Sequence, residues 1–294
     1  MKYDCCCIGR TCVDYIALVE KYPEKDTKIP LLNYKICIGG QAANASLVLA
    51  KLGLKTLLVS PLGKDSLGEF VKKSLKNIKN LHTVFIPSNN TPCAFIWTEK
   101  KTSKRTIVYE KIERGMVYML NIIEKSIKNS KYLLFDHQSC KDLYQNSNLF
   151  YKYRVKIMMD AERKDKYMFK MLPYINYFVC SKELADSLGL EVKQLLKEFI
   201  KKGPEIVCCT LGKDGAVAMV KGENKIYYEK GYKVNSIDTT GAGDVFHAGF
   251  LYGVAKGWKI SQILKFSNKL AAFSTKTIGG SSFLEIYGNS LVNF

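Results

Sequence analysis

An α/β fold, with a mostly parallel central sheet covered by helices on both faces, is predicted by three features of this 294-residue chain. Short apolar runs alternate with amphipathic stretches, the pattern of a sheet whose crossovers are helices. The first run opens with Cys5-Cys6-Cys7, and strand alternation would place these thiols on both faces of a buried strand. Four other β-like runs come without intervening helices and read either as an edge extension of that sheet or as a second, smaller one.

The strand-like runs of the main sheet are Cys5–Ile8, Thr56–Ser60, Tyr132–Phe135, Lys156–Asp160, Tyr177–Cys180 and Glu205–Leu211. Helix candidates lie between them at Ala42–Leu52, Ser66–Lys79, Lys141–Tyr151 and Val192–Lys202, and another covers Ser261–Lys276. The four runs without intervening helices are Val13–Val19, Lys28–Cys37, Ala94–Thr98 and Arg105–Glu110. One domain over residues 1–294 is expected, with the small-sheet strands inserted at about 13–37 and 93–110.

Composition narrows the function. A hydrophobic fraction of 47% supports a sizeable core. No apolar run approaches the ~20 residues that span a bilayer, so no membrane role is expected. No signal-peptide stretch follows Met1-Lys2-Tyr3-Asp4, and the ten cysteines contain no Cys-x-x-Cys pair. Buried thiols in a reducing, cytoplasmic setting follow, and a zinc site does not. The formal charge of +18 raises the question of nucleic acid. The charge is carried mainly by lysines on polar helix faces, without the arginine and aromatic interleaving of a readout surface. Solvated faces that help attract anionic ligands are the better account.

Chemistry concentrates in Asp238-Thr239-Thr240-Gly241-Ala242-Gly243-Asp244 and the apolar run Val245–Leu251 behind it. The glycines allow a tight turn whose N–H groups converge at the start of a helix near Gly243, a ready-made anion site. Asp244 is out of place there, because a carboxylate repels the anion. It makes sense as a base that takes a hydroxyl proton while a phosphoryl group rests on the N–H groups. A second segment, Gly39-Gly40-Gln41-Ala42-Ala43-Asn44-Ala45-Ser46, opens a small-residue helix that stops at Gly53, with Gly63 after the next strand. Its small residues let a ligand approach closely, and the Asn44 amide suits sugar-like hydroxyls.

With these two segments in order, the chain resembles the PfkB (ribokinase-like) carbohydrate kinases. Leu18–Asp26, Ser103–Tyr109 and Phe178–Ala185 are similar to the ketohexokinase branch. The resemblance implies a three-layer α/β/α core with a small β lid, ATP and Mg2+ as reaction partners, and a homodimer formed through the lid. It implies Asp244 as general base and Gly241, Ala242 and Gly243 as the anion hole. For the sugar it implies Asp14, Gly40, Gln41, Asn44, Arg105, Asp136 and Asp244, with Asp26 delivered from a partner's lid. For ATP it implies Ser181, Thr210, Gly212, Gly215, Gly241, Gly243, Asn268 and Thr275. Asp238, Thr240 and Gly279 correspond to a monovalent-cation (K+) loop.

Other readings stand beside these roles. Asp136 ends a strand, where ligand sites of open sheets lie, but a solvated strand-end carboxylate reads the same way. Asp26 reads equally as a solvated turn residue. His247 lies one helical turn beyond Asp244 and has no family role. Where the family carries Asn-x-x-Glu, this chain has Ser181-Lys182-Glu183-Leu184, so no direct magnesium ligand is assigned. A nucleoside acceptor would use Tyr15, Phe95 and Trp97 for stacking, and a phosphosugar would use Lys35, Lys104 and Arg105. The absence of a Gly-x-x-x-x-Gly-Lys-Ser/Thr segment removes the P-loop kinases. A non-catalytic polyanion binder is the remaining alternative, and Asp244 within its intact turn argues against it.

Overall fold

The computed structural model describes residues 1–110, 120–288 and 291. Its strands are β1 (Tyr3–Ile8), β2 (Cys12–Val19), β3 (Asn33–Gly39), β4 (Thr56–Gly63), β5 (Leu81–Ser88), β6 (Cys93–Glu99) and β7 (Arg105–Tyr109). There follow β8 (Ser130–Asp136), β9 (Lys156–Ala161), β10 (Tyr177–Ser181), β11 (Ile206–Thr210), β12 (Ala216–Val220) and β13 (Ile226–Glu229). The helices are α1 (Gln41–Lys51), α2 (Ser66–Leu75), α3 (Leu120–Lys128), α4 (Cys140–Gln145), α5 (Asn148–Tyr153) and α6 (Lys166–Met171). Then come α7 (Lys182–Ser187), α8 (Val192–Ile200), α9 (Ala242–Ala255), α10 (Ile260–Ser274) and α11 (Phe283–Tyr287).

Nine strands form the central sheet in the order β13-β12-β11-β10-β9-β8-β1-β4-β5. Pairing is parallel from β11 to β5 and antiparallel between β11 and β12 and between β12 and β13, so β12 alone runs against the rest of the sheet. Residue alternation along β1 divides the core. Cys5 and Cys7 pack with α1, α2, α9 and α10, whereas Cys6 and Ile8 pack with α3 to α8. From β1 the parallel order runs one way to β4 and the other way to β8. Strand order reverses there, and ligands of open α/β sheets bind beyond the carboxyl ends of such strands. Asp136, Asp160 and the Gly9-Arg10 turn all lie at those ends.

The smaller sheet has the order β3-β2-β6-β7. Asp14 pairs with Ala94 and Ile16 with Ile96, and all four side chains are buried. Tyr15 and Phe95 therefore share the opposite face, where their rings stack at 5.2 Å. On that outer face Tyr34, Phe95 and Val108 are exposed.

Three expected elements differ in extent. The expected helix Lys141–Tyr151 is two short helices, α4 and α5, separated at Asn146-Ser147. Helix α2 stops at Leu75, because Lys76 is extended and Asn77 adopts φ 64°. The strand expected from Lys28 starts at Asn33, beyond Pro30, which has no N–H to offer a ladder. Edge strand β5 was not expected; its polar residues and Pro87 hide it from an apolar-run reading.

Candidate active site

The turn before α9 is built by close backbone approach. Gly241 is left-handed at φ 73°, and a Cβ there would lie 2.5 Å from the Gly280 Cα. Gly243 is the opposite case: a Cβ there meets no atom within 4 Å, so its open face is not needed for packing. Asp244 follows in the first turn of α9. Asn44, on α1 against α9, donates from Nδ2 to Asp244 Oδ2 at 2.7 Å. Asn44 Oδ1 is buried without a hydrogen-bond partner, so it can take a donor from a ligand.

Charge crowding tunes this carboxylate. Burial, followed by the nearby Asp160 carboxylate, pushes Asp244 from its ordinary 3.8 up to about 7, against the bond from Asn44. Asp160, at the end of β9, is pushed well above the carboxylate range by burial and then by Glu162 and Asp136. His247 lies beside it, with Nε2 3.3 Å from Asp160 Oδ1 and Nδ1 2.6 Å from the Gly243 carbonyl oxygen. Burial lowers the proton affinity of His247. Nε2 also lies 3.3 Å from the Val179 carbonyl oxygen, so the ring ties the first turn of α9 to β10 beside Asp160. Gln41 also reaches Asp160, at 3.4 Å.

On the lid side, Asp14 on β2 is raised to about 6 by burial, although the Cys12 thiol and the Arg10 charge oppose this. A Cβ on Gly39 would collide with its carboxylate. Gly40 lies against the Arg10 carbonyl at φ 96°. Asp136 accepts from the Arg10 N–H at 2.6 Å and from both the N–H and hydroxyl of Ser139, which gives it a turn-fixing task inside the protein. Arg105, on β7, donates to Thr239 Oγ1 at 2.8 Å and so links the lid to the anion turn. Asp26 lies in the exposed turn between β2 and β3 at φ 61°. Parity places the Tyr15 and Phe95 rings on the lid face opposite Asp14, so they do not face the site for stacking. Lys35 pairs with Glu285 at 3.3 Å.

The residues matched to the nucleotide lie at the ends of β10 and β11 and on α10. Ser181 precedes α7, and Leu184 is fully buried in the core, so the glutamate position of Asn-x-x-Glu is here a packing residue. Thr210 ends β11; Gly212 and Gly215 shape the turn into β12, where a Cβ on Gly215 would strike the Glu229 carbonyl. Asn268 Nδ2 donates to the carbonyls of Glu229 and Lys230, and Thr275 Oγ1 bonds to the Ala272 carbonyl. Asp238 accepts from Thr98 Oγ1, Thr240 N and Thr240 Oγ1 on Oδ1, and from Gly279 N on Oδ2. With three donors on Oδ1 and one on Oδ2, Asp238 ties this loop to lid strand β6 and to Gly279. Among the described residues no group of three or more His, Cys, Asp or Glu side chains could hold a metal ion. No helix among them is long and apolar enough to cross a membrane.

The sequence reading missed Asp160 and passed over His247. A signal for Asp160 was available: it ends a predicted strand just as Asp136 does.

Comparison with known proteins agrees with this fold. Mouse (Mus musculus) ketohexokinase is 23% identical, over 90% of this chain and 93% of its own length. The ribokinase of Haemophilus influenzae is 26% identical, over 94% and 93% respectively. Among solved structures, Giardia lamblia ribokinase superposes with a TM-score of 0.85 at 16% identity, covering 99% of this chain and 100% of that one. Arabidopsis thaliana ribokinase, complexed with ribose and ATP, gives 0.78 at 20% identity with full coverage of both. The family profile described as "pfkB family carbohydrate kinase" matches residues 2–286, and the chain belongs to that family.

Proposed function

We propose that this protein is an ATP-dependent sugar kinase that transfers the γ-phosphoryl group to an acceptor hydroxyl, with Asp244 as the general base. The observation that carries this is a carboxylate of raised proton affinity, fixed by Asn44 in the first turn of α9, beside the unfilled space at Gly243. A base that titrates near neutrality both accepts a hydroxyl proton and releases it afterwards. The acceptor oxygen forms its bond to phosphorus as its proton moves to Asp244, and the bond to the bridging oxygen breaks to release ADP. N–H groups of the Gly241–Asp244 turn stabilise the charge on the transferring group. Asp14 and the free Asn44 Oδ1 orient the acceptor, with Gly40 and Gln41 beside them. Ser181, Thr210, Gly212, Gly215, Asn268 and Thr275 flank the nucleotide. Mg2+ bound to the phosphates would supply charge neutralisation.

The exposed apolar face of the lid supports a homodimer formed through that face, because a half-covered sheet gains from a partner. The ten free cysteines, nine of them buried, support a cytoplasmic setting. A panel of sugars and nucleosides, assayed for ADP release with Mg2+ and ATP, tests the function. Release with a sugar that is abolished in Asp244→Asn is expected; acceptor-independent ATP hydrolysis alone would refute it.

A further inference from the structure

His247 is a buried titratable group to which the reaction above gives no part. It is the one polar side chain in the run Val245–Leu251, where Phe246, Ala248, Phe250 and Leu251 are core residues. The residue is 5% exposed, and taking ring nitrogens out of water is unfavourable unless both find partners. Both do. Nδ1 lies 2.6 Å from the Gly243 carbonyl oxygen, one helical turn back. A carbonyl oxygen only accepts, so Nδ1 carries the proton of that bond. Nε2 lies 3.3 Å from the Val179 carbonyl oxygen and 3.3 Å from Asp160 Oδ1. Val179 and Asp160 are register partners on β10 and β9, which is why one nitrogen meets both. The imidazole thus spans from the ends of two core strands to the first turn of α9.

That turn starts without a side-chain cap. Its N-cap, Gly241, makes no capping bond, and the first N–H groups of a helix have no partner within it. They are free for an anion, and something other than a cap must hold their direction. The carbonyl bound by His247 is one end of the peptide unit whose other end is the Asp244 N–H. A peptide is planar and trans, so fixing the oxygen on one side fixes the N–H on the other. A bond at the carbonyl also polarises the unit and strengthens its N–H as a donor. Asn44 holds the Asp244 carboxylate from α1, and His247 holds the Asp244 backbone from β9 and β10.

We propose that His247, anchored on Val179 and Asp160, is a positioning residue for phosphoryl transfer: its Nδ1 bond to the Gly243 carbonyl aims the Asp244 N–H at the transferring group. This rests on the anion-hole reading above and adds to it the side chain that sets the aim. The ring touches neither the phosphates nor the acceptor in this scheme and passes no proton to them. Its worth lies in the transition state, where the charge on the transferring group is greatest and a donor already in place needs no reorganisation.

Two substitutions in the full chain test the idea, read by ADP release with Mg2+, ATP and a panel of sugars that includes D-fructose and D-ribose. His247→Leu keeps an apolar bulk but no donor. His247→Asn keeps an amide N–H that reaches a carbonyl one turn back, as Asn129 and Asn146 do with those of Lys125 and Asp142. His247→Leu should lose about 10- to 100-fold in kcat, less than the removal of a whole oxyanion-type donor, because the N–H is still present but poorly aimed. KM for ATP and for the sugar should change little, since the contact acts on the transition state. His247→Asn should recover most of the lost kcat, which a ring needed only for packing or for its proton would not allow. A folded His247→Leu enzyme with unchanged kcat, a loss confined to KM, or an Asn variant no better than the Leu variant would overturn the proposal and leave the kinase reading intact. Should His247→Leu not fold, a loss of more than about tenfold in kcat in folded His247→Asn would overturn it. No ADP release by the wild-type enzyme with any sugar of the panel would end both readings.

Discussion

Replacing Asp244 with asparagine separates what the carboxylate does for the reaction from what it costs the fold. Its proton affinity is raised from 3.8 to about 7 by burial and by Asp160. At ~1.36 kcal/mol per tenfold change in affinity, the ionised form costs on the order of 4 kcal/mol, before discounting the contact that the residue keeps with the open cleft. The folded protein holds this proton more tightly than the unfolded chain. The stability gained from it is therefore complete below about pH 4 and is lost as pH rises through about 7. Asparagine cannot ionise, and its oxygen can still accept the bond from Asn44. Asp244→Asn should thus melt higher than the wild type at pH 8, by a margin that shrinks towards pH 5. Turnover should fall by roughly 10²–10⁴, the usual worth of a positioned base. In the wild-type enzyme, kcat/KM should rise with pH through about 7 as the base is unmasked. Differential scanning calorimetry across pH and a coupled ADP assay read both effects. Near-normal turnover in a folded Asp244→Asn protein would refute the base assignment. An unchanged melting difference between pH 5 and pH 8 would refute the electrostatic account.

Gly243→Val should fold, because a Cβ at this position meets open space, yet it should lose roughly 2.7–4 kcal/mol of transition-state stabilisation by filling the anion site. Circular dichroism and kcat/KM check this, and a folded variant with unchanged rate constants would show that the phosphoryl group does not rest there. Asp26→Asn should weaken acceptor binding and spare ATP affinity if its acid serves the partner's site. Mixing it with Asp244→Asn should then restore part of the activity, whereas a monomer by sedimentation at assay concentration would exclude the shared site.

Much of the fold is legible because local patterns and tertiary demands coincide. Cys5-Cys6-Cys7 reads as a two-sided strand and is one, since both faces of β1 are covered by helices. The run Asp238–Leu251 reads as a turn feeding a helix, and α9 starts at Ala242, one residue before the expected start. What stayed hidden depends on residues far apart in the chain. The proton affinity of Asp244 is raised by burial and then by Asp160, which is far from it in sequence and comes close through the packing of α9 near β9. Asp136 reads as a ligand-facing acid by position, and the bonds it accepts from Arg10 and Ser139 are a pairing that no local pattern reveals. The outward orientation of Tyr15 and Phe95 follows from lid register, which the composition of each strand alone does not fix.

The distribution of thiols gives the protein two internal clocks. Burial pushes Cys6, Cys12 and Cys208 well above the ordinary range, and hydrogen bonds to Cys5 and Cys209, then burial, do the same for Cys7 and Cys180, which disfavours their reactive thiolates while the sheets are intact. Cys93, at the start of lid strand β6, is the one cysteine that is not fully buried. A small alkylating reagent would therefore reach Cys93 at the pace of lid fraying. It would reach the β1 triplet only at the pace at which the central sheet itself comes apart. The interval between those two modification times measures how independently the lid moves on its core, with no label added to the chain.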